Sequence, residues 1–286
     1  MTLIAKASIS SPAPRPTVAT PIPAPLALRR AARRTVLAYH ELSSDAVSYC
    51  YALTCRQFED HLRLAVQLDS NSSGSKPPLV LSFDDGHISN YFSALPLLEK
   101  YSCKAIFFVI VGRMGEHKEF MTWTHLRELV ALGHRVEAHS WSHKFLPDCS
   151  DADLREELTR SKETLENRLG TPVEAFSAPH GRWDRRVLRA CADAGYRSLY
   201  TSDPWRRSRS LEHMEVIGRL VMVQSMDTTR LLNWLTMGPA EAGRRRAQHA
   251  LKRSAQRLLG NRLYYQLWTR LSGWRGGNDT LLKSNP

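Results

Sequence analysis

From residue 35 onward, short apolar runs rich in β-branched and aromatic residues alternate with longer stretches whose apolar positions recur every three to four residues. The short runs predict buried strands and the longer ones amphipathic helices, so their alternation predicts stacked β/α units. Strands are expected at TVLAYH (35–40), LVLSF (79–83), AIFFVIVG (105–112), within RVEAHSWSH (135–143), before SAPHG (177–181) and at SLYTS (198–202). Between them, Thr54 opens a helix through CRQFEDHLRLAVQL with Gln57 at the capping-box position. Further helices follow at ISNYFSALPLLEKY, at TWTHLRELVAL closed by Gly133, and at WDRRVLRACADAG closed by Gly195. The stretch DADLREELTRSKETLENRL places Leu154, Leu158, Leu165 and Leu169 on one side and stops at Gly170, with Pro172 beyond. No period repeats. The pattern predicts an α/β fold, a closed or nearly closed barrel of mostly parallel strands with outer helices, and chemistry at the C-terminal strand ends.

Composition narrows the class without naming it. With 286 residues, 42% hydrophobic and 24% charged, the chain can build one substantial core. No run approaches the roughly 18 to 20 apolar residues of a membrane span, and CKAIFFVIVG (103–112) reads as a buried strand. The five cysteines are scattered without a CxxC pair, which predicts reduced, mostly core thiols rather than a disulfide framework. Residues 1–34 are Pro/Ala-rich and interrupted by proline, and predict a flexible leader rather than a secretory signal. A cytoplasmic or peripheral-membrane location is the corresponding expectation. The net charge of +12 is uneven: from Glu241 to Pro286 ten Lys or Arg face two acids, so the tail holds +8 of it.

Three features fall at predicted strand ends: the adjacent Asp84 and Asp85 before Gly86, His139 and His143 in HSWSH, and SAPHGRWD (177–184). Strand alternation would send Asp84 and Asp85 to opposite faces, so both reach one site only if the strand ends there and Gly86 lets the chain turn. Two neutral imidazoles four residues apart plus one carboxylate make the ligand set of a catalytic zinc site, with positions left for water and substrate. Each motif alone has a bland reading, an incidental histidine pair or a turn signal. Together, at successive strand ends of one domain, they predict a site for one divalent ion, zinc by its ligand set.

LSFDDG, HSWSH and SAPHG, in that order, resemble the NodB-homology polysaccharide deacetylases, carbohydrate esterase family four, over roughly residues 35–225. The resemblance implies a distorted (β/α) barrel and metal-dependent removal of acetyl groups from N-acetylglucosamine-containing glycans. It implies Asp84 as the general base acting on metal-bound water, and Asp85, His139 and His143 as the metal ligands. It also points to Pro179 and His180 as substrate contacts, standing where the family has Pro-Tyr, whose backbone N–H helps bind the oxyanion. Two departures stand out. Ser177 occupies the place of the family arginine that holds the base, leaving Arg182 as a candidate substitute, and VIGRLVMVQSMD (216–227) lacks the usual late histidine. In the poly-N-acetylglucosamine branch the order looks permuted and an early histidine fills the acid role. LAYHELSSD resembles that branch, and His40 is the expected general acid.

Trp141, Trp183 and Trp205 lie in or beside these loops, where indoles could stack on sugar rings or equally plug the core. His87, His125 and His134 read as surface or supporting residues. From Arg244, leucines at helical spacing with Arg and Lys opposite predict a basic amphipathic helix in a tail spanning 236–286. It suits either an anionic membrane surface or docking on the barrel. Nucleic acid is not expected as a partner, since nothing groove-shaped accompanies the charge. Two competing functions keep the same fold: hydrolysis of non-sugar amides, and glycan or membrane binding without turnover.

Overall fold

The structure, a computed structural model, describes residues 35–44, 49–70, 79–205, 209–211 and 213–248, together with positions 250, 251, 254 and 259. The expected leader (1–34) and most of the tail beyond 248 lie outside the described residues. In chain order come β1 (Thr35–Tyr39), β2 (Glu41–Ser43), β3 (Ala52–Thr54), α1 (Cys55–Ser70), β4 (Leu79–Phe83), α2 (Leu95–Lys100), β5 (Ala105–Val109), α3 (Trp123–Ala131) and β6 (Arg135–Ala138). Then follow α4 (Asp151–Leu169), β7 (Ala175–Ser177), α5 (Arg185–Asp193), β8 (Ser198–Thr201), β9 (Arg209–Leu211), β10 (Met214–Val221) and α6 (Thr228–Thr236).

Seven parallel strands run in the order β1, β4, β5, β6, β7, β8, β10, and β10 pairs back onto β1 through Val36↔Arg219 and Leu37↔Leu220. The ring is closed, as the alternating pattern predicts. Its thinnest seam is β6–β7, registered only through Ala138↔Phe176. An antiparallel β9 extends β10, and β2 and β3 form a separate two-stranded sheet.

Alternation along each strand divides two cores. Val36, Ile106, Phe108, Ala175 and Tyr200 form the smaller cluster that fills the barrel, with Val80 and Ile217 against it. Their neighbours Leu37, Tyr39, Leu81, Phe83, Phe107 and Leu199 belong to the larger cluster between barrel and helices. Within it Phe83 stacks on Phe107 at 5.1 Å, and Phe58 of α1 meets Tyr39 and Phe83 edge-on at 5.0 and 5.4 Å. Both faces of these strands are therefore buried, which is why they read as continuous apolar runs.

The helix starts follow their caps. Thr54 and Gln57 bond reciprocally at α1, Asp184 accepts from Val187 N–H at α5, and Gly170 ends α4 in the left-handed region. The segment after Gly86 departs from a plain helix: Asn90–Ala94 winds as π-helix before α2. Pro96 supplies no N–H and its ring crowds the carbonyl four residues back, so a regular ladder cannot pass through it.

Other expectations need adjusting. All five cysteines are free, as expected, but only Cys191 is fully buried. His134 is neither a surface residue nor near the strand ends carrying the motifs. It is buried, with Nδ1 accepting from Ala105 N–H and Nε2 3.2 Å from Glu99. His125 completes the α3 capping box with Thr122 and stacks on Tyr91. Residues 239–248 are helical, and Arg245 and Arg246 lie over Trp234 and Trp205, which contact each other at 4.5 Å. Trp205 is thus taken up by helix packing instead of presenting a sugar platform. The expectation of a membrane-binding tail rests on residues outside those described, and no helix among the described residues is long and apolar enough to cross a membrane.

His61 of α1 is fully buried beside the Tyr39 hydroxyl, and burial pushes its pKa down to about 4. An unfolded chain, with His61 near 6.5, binds more protons between those values, so stability falls as pH drops through about 6.5 towards 4. Urea unfolding at pH 7.5 and 4.5 should show a loss with a His61 share of up to about 3 kcal/mol. The loss should be smaller in His61→Leu.

Candidate active site at the strand ends

Asp84 continues the inward series Val80, Ser82 past the end of β4, where its N–H donates to Tyr39 carbonyl. The next residue would point away from the barrel, but Asp85 takes φ +71° and Gly86 φ +80°. A non-glycine residue there costs about 1–2 kcal/mol, least for Asp or Asn, and the turn brings the second carboxylate round to the barrel mouth. Gly86 has no alternative: a Cβ would lie 2.9 Å from Met114 Cε and 3.0 Å from Val109 Cγ1.

The two carboxylates then have different partners. Asp84 is buried and forked by Arg219, with Nη1 to Oδ1 and Nη2 to Oδ2 both at 2.7 Å. The Ser177 hydroxyl takes a bond from Arg219 Nη2 at 2.8 Å and donates to Asp84 Oδ2 at 3.2 Å. Arg219 also bonds Ser82 Oγ and Thr201 carbonyl and rests over Phe108 and Tyr200, the top of the barrel filling. Burial alone would raise the Asp84 pKa, but Arg219 and then His139 outweigh it and hold the carboxyl below its ordinary value.

The cation paired with Asp84 is therefore Arg219, not the expected Arg182. It enters from β10, two strands along the ring from Ser177 at the end of β7. One sequence signal marks it: an arginine inside VIGRLVMV, a run otherwise without a polar side chain.

Asp85 has no such partner. Its Oδ1 is buried without a hydrogen-bond partner, while His139 Nε2 stands 3.4 Å and His143 Nε2 3.5 Å away. One ligand atom from each residue lies within 4.8 Å of the others, the only such group of three or more among the described residues. His139 Nδ1 is 2.8 Å from Ser177 carbonyl, which can only accept, so Nδ1 carries a hydrogen and Nε2 is the nitrogen turned towards Asp85. Burial, then His180, pushes His143 well below the usual imidazole range, leaving it neutral. Burial would raise the Asp85 carboxyl, but His139, His143 and His40 drive it far below the carboxylate range. Burial opposes a charged His139, yet Asp84 and Asp85 more than offset it and its pKa is raised. An orphaned carboxylate oxygen facing two imidazole Nε2 atoms fits a divalent cation, with geometry open for further ligands.

The loop joining the two histidines is tight. Ser140 and His143 both have positive φ, and His143 N–H donates to Ser140 Oγ at 2.9 Å. Gly112 N–H donates to Trp141 carbonyl, and a Cβ on Gly112 would meet that oxygen at 2.8 Å. The Arg160 guanidinium lies 3.7 Å from the Trp141 ring, and Trp141 and Trp183 are half-buried against the main core.

The remaining sequence-predicted residues gather around this centre. His40, half-buried between β1 and β2, is near enough to bias both Asp84 and Asp85, and its Nδ1 is buried without a hydrogen-bond partner. Asn90 donates to its carbonyl at 2.6 Å, and Tyr51 faces its ring at 5.2 Å. Pro179 is buried, and His180 sits at φ +56° with its ring 4.4 Å from His143 and stacked 4.0 Å from Phe145. Burial lowers the His180 pKa to about 4.

Barrel and cluster together define a class: a parallel β/α barrel whose strand ends bring one arginine-held carboxylate beside an Asp-His-His group. Comparison with known proteins narrows it. The polysaccharide deacetylase family model matches residues 71–199. YxkH of Bacillus subtilis (strain 168) is 27% identical over 192 residues, covering 62% of this chain and 67% of its own. A chitooligosaccharide deacetylase of Sinorhizobium fredii (strain NBRC 101917 / NGR234) is 29% identical over 143 residues, 48% of this chain and 63% of the relative. The chain thus spans slightly less than two thirds of that relative. Among solved structures, the Streptococcus pyogenes deacetylase PplD superimposes with a TM-score of 0.60 at 22% identity, over 73% of this chain and 99% of that one. At that identity the likeness shows the fold.

Removing Arg219 strands a buried carboxylate. Arg219→Met should destabilise the protein by about 3–5 kcal/mol in urea unfolding. The double variant with Asp84→Asn should recover part of that loss, because no uncompensated charge remains.

Proposed function

We propose that residues 35–235 form a metal-dependent deacetylase that removes acetyl groups from a glycan containing N-acetylglucosamine. The observation that carries this reading is the division of labour between adjacent carboxylates: Asp85 faces His139 and His143 with a bare oxygen, whereas Asp84 is held apart by Arg219. Asp85, His139 and His143 would hold one divalent ion, zinc by ligand type. When bound, that ion supplies Lewis acidity to the acyl carbonyl and to a water molecule.

The chain's own residues do the rest. Asp84, ionised and fixed in orientation, takes the proton of the attacking water as general base. His40, on the neighbouring strand end with an uncommitted Nδ1, gives a proton to the departing amine. Pro179 and His180 border the ligand cluster, where a backbone N–H can meet the developing oxyanion. Trp141 and Trp183 offer indole edges to the sugar at the rim. The position of His40 ahead of the carboxylate pair favours a poly-N-acetylglucosamine type of substrate, and the chitooligosaccharide deacetylase relative favours an amino-sugar polymer.

The experiment is acetate release from chito-oligomers, poly-N-acetylglucosamine oligomers and simple amides, alongside metal content by mass spectrometry. Asp84→Asn should retain the metal and lose about 10²–10⁴-fold in turnover, and Asp85→Asn should lose both. Release from simple amides alone would move the function to non-sugar hydrolysis. Metal-free wild-type protein without turnover would favour a binding role.

A further inference from the structure

Glu157 lies on the buried side of α4, in register with Leu154, Leu158, Ser161 and Leu165, and is 4% exposed. A carboxylate in that row needs partners, and it finds them in the loop between His139 and His143. Its Oε2 accepts from Trp141 N–H at 3.0 Å and from Ser142 N–H at 2.9 Å. Its Oε1 takes the Ser142 hydroxyl and lies 3.8 Å from Lys144 Nζ.

The two histidines are anchored differently. His139 is still part of the barrel: its N–H donates to Val109 carbonyl and its Nδ1 is fixed on Ser177. His143 follows a loop that has left the sheet and needs positive φ at both Ser140 and His143. On one side that loop is held by Val111 and Gly112 N–H groups donating to the carbonyls of Ser140 and Trp141. On the other side Glu157 takes the N–H groups of Trp141 and Ser142, which point away from that backbone. Without it two successive backbone donors lose their partner, and the left-handed residues lose what over-determines them.

We propose that Glu157 is a positioning residue for the metal centre: by clamping residues 141–142 it places His143 Nε2 opposite Asp85 Oδ1 and so sets the affinity for the divalent ion. This rests on the assignment of Asp85, His139 and His143 as metal ligands. Residues that orient ligands in this way typically change affinity by about 10–100-fold when removed.

The test uses the full chain, stripped with chelator and titrated with Zn²⁺ against a chromophoric competitor, and with Co²⁺ to record its visible absorption. Glu157→Ala should weaken Zn²⁺ binding by about 10–100-fold and alter the Co²⁺ spectrum. Glu157→Gln keeps an acceptor oxygen and the side-chain shape, so it should fold even where Ala does not and lose affinity by a smaller factor. Glu163→Ala, on the exposed side of the same helix, should bind like wild type. A purely structural Glu157 would lower the melting temperature of the metal-free protein while leaving Zn²⁺ affinity and the Co²⁺ spectrum unchanged, and that result overturns the proposal. Wild-type protein that binds neither ion overturns the ligand assignment itself, an outcome distinct from loss confined to Glu157.

Discussion

A fully buried guanidinium bonded to a buried carboxylate governs the interior of this barrel. Arg219 and Asp84 come from strands on either side of β1, and their fork ties β10 to β4 across the top of the apolar filling. Isolated, either charge would be intolerable at that depth. Together, with Ser82, Ser177 and Thr201 satisfying the remaining guanidinium hydrogens, they form a polar layer above Phe108 and Tyr200. That layer keeps Asp84 ionised and immobile. It also removes Asp84 from competition for a cation at the mouth, leaving Asp85 to face the imidazoles.

The same economy of partners runs through the site. Ser177 spends its carbonyl on His139 Nδ1 and its hydroxyl on Arg219 and Asp84, so one short strand couples Asp84 to a candidate ligand. The left-handed turns at Asp85, Ser140, His143 and His180 all occur where β-strands run out into loops at the mouth. Such conformations persist only where surrounding bonds over-determine them. At Asp85 and at Ser140–His143 those bonds come from the end of β5 and from α4, so the rigidity there is borrowed from the barrel and its helices.

Much of this could be read from the chain before any coordinates. Buried strands declared themselves because both faces are apolar, and helix boundaries because Thr54 and Gly170 cap as their types allow. The Asp and His motifs announced themselves by residue type and spacing at strand ends. What stayed hidden depends on contacts between elements far apart in sequence. Arg219 is 135 residues from Asp84, and only its oddity within an apolar strand hints at a role. Glu157 is one acid among many on α4, separable from Glu156 only by helical register. The indoles were ambiguous for the opposite reason: a tryptophan near a strand end serves packing as readily as binding, and Trp205 went to Trp234 and Arg246.

The account stands on a single divalent ion held by Asp85, His139 and His143, with Asp84 left to the arginine. Anomalous diffraction at the zinc edge from crystals grown with Zn²⁺ tests this most directly. The account predicts one strong peak about 2.0–2.2 Å from Asp85 carboxylate, His139 Nε2 and His143 Nε2, with Asp84 still forked on Arg219. A peak bound through Asp84, or none at these residues at saturating Zn²⁺, would contradict it.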